Sequence, residues 1–352
     1  MATTKHLDTF VEKLLFEIES QKTYLLNEPV STIYFGGGTP SLLNTNTVQI
    51  IIEKIKQHFN VQPNVEITLE ANPDDLKMNY LVALKETEVN RLSLGVQSFH
   101  DADLHYLNRV HAAEQAEKSI LLAQNAGFTN LTIDLIYGIP TLTNEKWLDN
   151  LKLFFELKIP HLSAYALTVE PKTALNTLIN RGKMQPVDEQ QTAEQFELLV
   201  KQMDAQGFVH YEISNFALPG HYSRHNSIYW TGGNYLGLGP SAHSYNGITR
   251  QWNVSNLNQY IHENDFSNIV EDKEALSLEQ RYNEYVMTSL RTIWGCDIEH
   301  VYNTFGKKVA DHCHKQANKY IERDQLELKQ NRYYLRPKGK FFADGIAADL
   351  FL

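Results

Sequence analysis

Three consecutive glycines, Gly36-Gly37-Gly38, followed by Thr39-Pro40-Ser41, come straight out of the β-rich run Thr32–Phe35. With no Cβ atoms in the way, backbone N–H and C=O groups of such a turn can approach a ligand directly. The run is neither the GxGxxG dinucleotide signature nor a P-loop, since no Lys-Ser or Lys-Thr pair follows. Alone it reads equally well as a tight turn between a strand and a helix. Polar residues at other strand ends tip the balance. Glu70 closes one run, followed by Asn72-Pro73, with Asp74 and Asp75 as caps for the next helix. Gln97 ends a second, Arg109 follows the short helical stretch Leu104–Leu107, and Asp134 interrupts the apolar run Leu131–Ile136. A carboxylate in a buried strand is costly unless paired or hydrogen-bonded. Beside a glycine cradle, Glu70, Gln97, Arg109 and Asp134 describe a pocket for a polar, zwitterionic ligand carrying hydroxyls.

A second group runs from His221 through His225, Tyr229, Trp230 and His243 to Trp252. Such aromatics and histidines can line a flat apolar macrocycle and supply an axial imidazole. They can equally form an aromatic core under a loop layer, with the histidines hydrogen-bonded to carbonyls. His312-Cys313-His314 invites a metal reading, but three successive helix positions point about 100° apart and cannot converge on one ion. A surface helix is the better account. Cys296 and Cys313 are the only cysteines, so neither a disulfide framework nor a four-cysteine metal site can be built from this sequence.

The elements that must position these residues follow from periodicity. Apolar positions between 5 and 26 (Leu7, Phe10, Val11, Leu14, Leu15, Ile18, Leu25) recur at helical spacing. Strand-like runs then appear at Thr32–Phe35, Val65–Leu69, Arg91–Val96, Leu131–Ile136 and His161–Leu167, separated by helical patterns near 44–58, 75–87, 101–126 and 144–157. These steps are the size of a βα unit, and runs apolar on both faces suit buried parallel strands. The pattern predicts an α/β fold, either open or a partial barrel, with ligands at the C-terminal ends of the strands. Beyond residue 185 come a helix over Asp188–Gln206, a strand-like Tyr211–Phe216, a Gly- and aromatic-rich stretch over Pro219–Trp252, helices from about Leu276, and a hairpin of Gln325–Lys329 with Arg332–Leu335. This divides the chain into a βα core over 1–185, an extension over 186–270 and a small helical, winged-helix-like domain over 271–352.

Length and composition agree with a globular protein of two domains, or of one barrel with an appendage. A net charge of −10 argues against a nucleic-acid surface built on bulk charge. No apolar run reaches the roughly 20 residues of a membrane helix, which leaves room for a peripheral membrane contact only. Lys5, Asp8, Glu12 and Lys13 break up the N-terminal apolar residues, so the start does not read as a secretory signal and a cytoplasmic location is expected.

The segments Gly36–Ser41, Glu70-Ala71-Asn72-Pro73, Gly95–Phe99, Asn108-Arg109 and Asp134–Pro140 resemble the radical S-adenosylmethionine family of oxygen-independent coproporphyrinogen III oxidases. The resemblance continues in order through Leu162–Tyr165, Glu170-Pro171, His225–Trp230 and Tyr235–Ser244, and so covers nearly the whole chain. The His-Asn-x-x-Tyr-Trp element at His225–Trp230 is more similar to the heme-chaperone (HemW) branch than to the oxidases. The resemblance implies a partial (β/α)6 TIM-like barrel with a C-terminal helical domain. It also implies that Gly37, Gly38 and Thr39 cradle the methionyl end of S-adenosylmethionine, while Glu70, Gln97, Arg109 and Asp134 hold its carboxylate, amine and ribose. The chemistry agrees: a carboxylate pairs an ammonium and an arginine forks onto a carboxylate. His243 is expected to line the same pocket and His225 to be the heme ligand.

The family carries a Cys-x-x-x-Cys-x-x-Cys loop after its first strand, upstream of its first helix, and this sequence opens at that helix. Three thiolates hold a [4Fe–4S] cluster in the family, so the chain as written is expected to lack both the barrel's first strand and the cluster. The resemblance implies a radical-SAM heme chaperone that binds heme and S-adenosylmethionine and delivers heme to a haem-requiring partner. The alternatives are an anaerobic coproporphyrinogen III oxidase acting in porphyrin biosynthesis, and a scaffold that has lost cluster chemistry.

Overall fold

A computed structural model describes residues 6–352; Met1–Lys5, including the first position of the predicted N-terminal helix, lie outside the described residues. The elements run α1 (Leu7–Ser20), β1 (Val30–Phe35), α2 (Thr45–His58), β2 (Val61–Ala71), α3 (Met78–Lys85), β3 (Arg91–Gln97), α4 (Asp101–Tyr106), α5 (Ala113–Asn125), β4 (Leu131–Tyr137), α6 (Asn144–Glu156) and β5 (His161–Ala166). They continue through α7 (Ala174–Asn180), α8 (Glu189–Ala205), β6 (Val209–Glu212), β7 (Asn215–Ala217), α9 (Arg224–Trp230), β8 (His243–Tyr245), β9 (Thr249–Asn253), α10 (Leu257–His262) and β10 (Val270–Ala275). The last are α11 (Leu278–Leu290), β11 (Cys296–Asp297), α12 (Ile298–Phe305), α13 (Lys307–Glu322), the hairpin β12 (Leu326–Lys329) and β13 (Arg332–Leu335), α14 (Pro337–Lys340) and α15 (Ala343–Asp349).

The principal sheet has the order β1-β2-β3-β4-β5-β7-β6. Strands β2 to β5 are parallel, and β7 and β6 close the far side antiparallel. Leu92, Leu94, Ile133, Leu135 and Leu162 are buried at or near zero exposure, as expected for strands covered on both faces. The helical pattern predicted over 101–126 is two helices. Between them Asn108 takes a positive φ of 54°, and the Arg109 N–H donates to the Leu104 carbonyl. That break keeps Arg109 at the strand-end rim instead of on a helix face. Tyr211–Phe216 likewise divides into β6 and β7.

Two compact units emerge, both discontinuous in sequence, and they cut the chain differently from a linear division near 185 and 270. One comprises residues 34–45 and 67–222. The other comprises, among the described residues, those up to 33, 46–66 and 223–352. In the second unit, Tyr282, Val286, Leu290, Val301, Phe305, Cys313 and Ala317 form one apolar core beneath the small sheet β11-β13-β12. Here His312 Nε2 lies 2.8 Å from the Phe351 carbonyl and His314 Nδ1 2.6 Å from the Tyr333 hydroxyl, which accounts for both histidines without a metal. The same unit buries Glu17 of α1 completely. Its carboxylate accepts from the Tyr260 hydroxyl (2.6 Å), Asn253 Nδ2 (2.6 Å) and the Gly239 N–H (2.8 Å). A buried carboxylate is tolerable with three donors around it, so the Gly237–Ser241 loop is tied to the first helix.

Candidate functional site

At the C-terminal ends of the parallel strands, within the first unit, lies a cavity of about 210 Å3. Gly38, Thr39, Glu70, Gln97, Arg109 and Asp134 all line it, joined by Asn72 and Ser93. The βα topology brings these residues together: β2, β3 and β4 deliver Glu70, Gln97 and Asp134, and the segments that follow β1 and α4 deliver Gly38, Thr39 and Arg109 to the same edge. Gly37 and Gly38 have φ of 68° and 59° and open space where a Cβ would stand, so the loop exposes bare backbone. Gly36 differs: a Cβ there would meet the Tyr34 ring at 2.5 Å and Glu70 Oε1 at 3.1 Å. Gln97 holds a left-handed φ of 69°, a strained conformation for a side-chain-bearing residue.

Glu70 is braced on both oxygens. Oε1 accepts from the Tyr34 hydroxyl at 2.6 Å and Oε2 from the Gly37 N–H at 3.2 Å, fixing the plane of the carboxylate. Burial first, and then the Glu70 carboxylate, raises the Tyr34 phenol pKa well above its ordinary value, so it stays a donor. Desolvation pushes the Asp134 carboxyl up to about 7, with the Glu70 charge adding to the rise and a Ser163 hydrogen bond and Arg109 opposing it. Arg109 is pulled below its usual range by desolvation, against the attraction of Asp134 and Asp74. Two acids and one cation therefore share a small cavity, an arrangement suited to a ligand carrying an ammonium and a carboxylate.

Ser93 is legible in hindsight. Residues 93, 95 and 97 alternate along β3, and all three line the cavity. Tyr34 carried no such signal, because its role depends on a partner 36 residues away. Asp75 does not cap α3, whose N-cap is Lys77 without a side-chain bond. Instead Asp75 Oδ2 accepts from the Ser41 hydroxyl at 2.6 Å and ties down the exit of the glycine loop. His243 stands on β8 in the other unit, exposed and with its ring stacked on Trp252 at 5.8 Å.

His225 lies on α9, whose N-cap Ser223 accepts from the Asn226 N–H. Arg224 Nη1 donates to the Asn64 carbonyl (2.6 Å) and the His225 N–H to Glu66 Oε1 (3.1 Å), anchoring the helix to the start of β2. The His225 ring sits between Thr32 Oγ1 at Nδ1 (2.9 Å) and the Tyr229 hydroxyl at Nε2 (3.1 Å). Desolvation lowers its pKa to about 4, so the imidazole is neutral near pH 7. Tyr229 in turn meets the Tyr235 ring edge-on at 4.7 Å, and the Arg291 guanidinium lies 4.9 Å over Trp230.

Comparison with known proteins decides the family. Residues 11–154 match the radical SAM superfamily, and residues 276–342 match the HemN C-terminal domain. The chain is 32% identical over 339 residues to the heme chaperone HemW of Lactococcus lactis, covering 96% of this chain and 88% of that protein. It is 31% identical over 344 residues to the heme chaperone HemW of Mycobacterium tuberculosis, covering 97% and 86%. The chain belongs to the HemW family of radical SAM proteins. Coproporphyrinogen III oxidase (HemN) from Escherichia coli, at 22% identity, shares the fold: the TM-score is 0.84 over 100% of this chain and 84% of that one. The half-barrel of parallel strands with a helical C-terminal domain is thus the radical SAM architecture of HemN.

Radical SAM families use S-adenosylmethionine together with a [4Fe–4S] cluster. The charge of the cavity, two carboxylates beside one guanidinium, fits the first of these. The two cysteines do not fit the second: both are free and buried in the C-terminal apolar core. Among the described residues, no group of three or more His, Cys, Asp or Glu is placed to hold a metal ion. No described helix is long and apolar enough to cross a membrane.

Proposed function

We propose that this chain binds heme and hands it to an acceptor protein in the cytoplasm, with S-adenosylmethionine held in the strand-end cavity. The observation that carries the reading is the likeness to heme chaperones over nearly the full chain. An adenosylmethionine cavity by itself is common to the superfamily and would not single out heme. In the cavity, Glu70 and Asp134 face the ligand's ammonium and hydroxyls, Arg109 its carboxylate, and the backbone of Gly38 and Thr39 its methionyl end, with Gly37 beside them donating its N–H to Glu70. Gln97, held in its left-handed turn, completes the polar wall. His225–Trp230 is the element offered for heme, and His243 stands among the aromatic residues of the same unit.

Two titrations of the purified full chain test this. Added heme is expected to give a Soret band that saturates at a fixed stoichiometry, and equilibrium dialysis is expected to retain labelled S-adenosylmethionine. Incubation of the heme-loaded chain with an apo-hemoprotein should then move the Soret band to the acceptor. An unchanged heme spectrum on addition of protein would remove the chaperone reading.

A further inference from the structure

The inference that follows rests on the heme reading above and concerns which atom meets the iron. We propose that Tyr229, with His225 as its positioning residue, supplies the axial ligand, so that the cargo is ferric heme held through a phenolate oxygen. His225 and Tyr229 are one turn apart on α9, the spacing that sets two side chains side by side on one helix face. Both His225 ring nitrogens are engaged, Nδ1 with Thr32 Oγ1 at 2.9 Å and Nε2 with the Tyr229 hydroxyl at 3.1 Å. An iron reaching Nε2 must break the second bond and push aside a phenol ring that also packs on Tyr235. Tyr229 is the more accessible of the pair, 40% exposed, while His225 is half-buried and its backbone N–H is fixed by Glu66.

The exchange balances without any added oxidant. A ferric heme arrives carrying water or hydroxide; that ligand leaves, the Fe–O bond to Tyr229 forms and the phenol O–H bond breaks. The phenol proton departs with hydroxide as water or, from an aqua heme, passes to solvent. The imidazole then donates its Nε2–H to the bound oxygen, and the Thr32 hydroxyl, which can donate or accept, donates to Nδ1. His225 thereby keeps the role that a hydrogen-bonding neighbour plays for any metal ligand, setting its orientation and basicity. A phenolate is a hard anionic donor and prefers ferric to ferrous iron, so reduction of the bound heme loosens it.

The test is an anaerobic titration of the full chain with ferric heme, read by absorption, electron paramagnetic resonance and resonance Raman. Wild type is expected to give a high-spin ferric complex with phenolate modes in the Raman spectrum, a readout that needs no variant. Reduction with dithionite should weaken binding by about tenfold or more. Tyr229→Phe should abolish the phenolate modes and cost about tenfold in affinity. His225→Ala should keep the modes but shift the charge-transfer band, because the hydrogen bond to the bound oxygen is gone. A low-spin imidazole signature that survives Tyr229→Phe and vanishes in His225→Ala would overturn the proposal while leaving the heme reading intact. Absence of a Soret band in the wild type would remove both.

Discussion

The strand-end cavity and the α9 element solve the same problem, holding polar groups in fixed positions, in opposite ways. The cavity draws Gly38, Glu70, Gln97, Arg109 and Asp134 from segments spread over almost a hundred residues, and only the sheet brings them together. The α9 element gathers His225, Tyr229 and Trp230 within two helical turns, set by a Ser223 cap. Groups assembled by a sheet are rigid because the whole fold would have to move to shift them. Groups on a seven-residue helix depend on a few local anchors, here Asn64, Glu66 and Thr32.

The largest effect should come from the cavity. Glu70→Ala removes a braced carboxylate and strands the Tyr34 hydroxyl, so S-adenosylmethionine affinity by equilibrium dialysis should fall about 100-fold. An unchanged affinity would mean that the cavity takes some other ligand. The glycine loop offers a finer contrast. Gly36→Ala drives a Cβ into the Tyr34 ring and Glu70, and about a tenfold loss is expected. Gly38→Ala meets no atom and carries only the backbone strain of a positive φ, about 1 kcal/mol of thermal stability. Equal losses in the two variants would show that the Tyr34–Glu70 brace is irrelevant.

Asp134 gives a pH signature. Its folded-state carboxyl holds a proton up to about 7, against an ordinary value of 3.8. The folded form therefore binds the proton more tightly than the unfolded chain, and stability falls as pH rises between about 4 and 7. Asp134→Asn should flatten that slope in melting temperature. A ligand bearing an ammonium favours the ionised form, so S-adenosylmethionine should bind a few-fold more tightly at pH 8 than at pH 6. Calorimetry in buffers of different ionisation enthalpy should show proton release at pH 6, and its absence would contradict the raised pKa. The smallest effect belongs to α9. Ser223→Ala removes the helix cap at a cost of about 1 kcal/mol, and heme affinity should drop by about fivefold with S-adenosylmethionine binding unaffected. Equal damage to both ligands would erase the contrast between a sheet-built and a helix-built site.

Much of this protein is written in local sequence. The continuous apolar runs place β1 to β5 within a few residues of their observed ends, because burial on both faces demands strands apolar on both sides. Glu70 and Gln97 stand out as polar residues at the ends of such runs and Asp134 as a carboxylate inside one, and the topology of a parallel sheet brings all three to one cavity. What local pattern could not supply were interactions between residues distant in the chain. Tyr34 braces Glu70 from another strand, Asp75 ties Ser41 instead of capping a helix, and Thr32 engages His225 from 193 positions away. The rise in the Asp134 pKa likewise needs desolvation and the Glu70 charge together, neither of which exists before the sheet forms. Sequence by itself determined which residues are polar, which are apolar and in what order they come. Tertiary structure alone decided which of those polar groups share a dielectric and a hydrogen bond, because both fall off within a few ångströms and only folding sets distances on that scale.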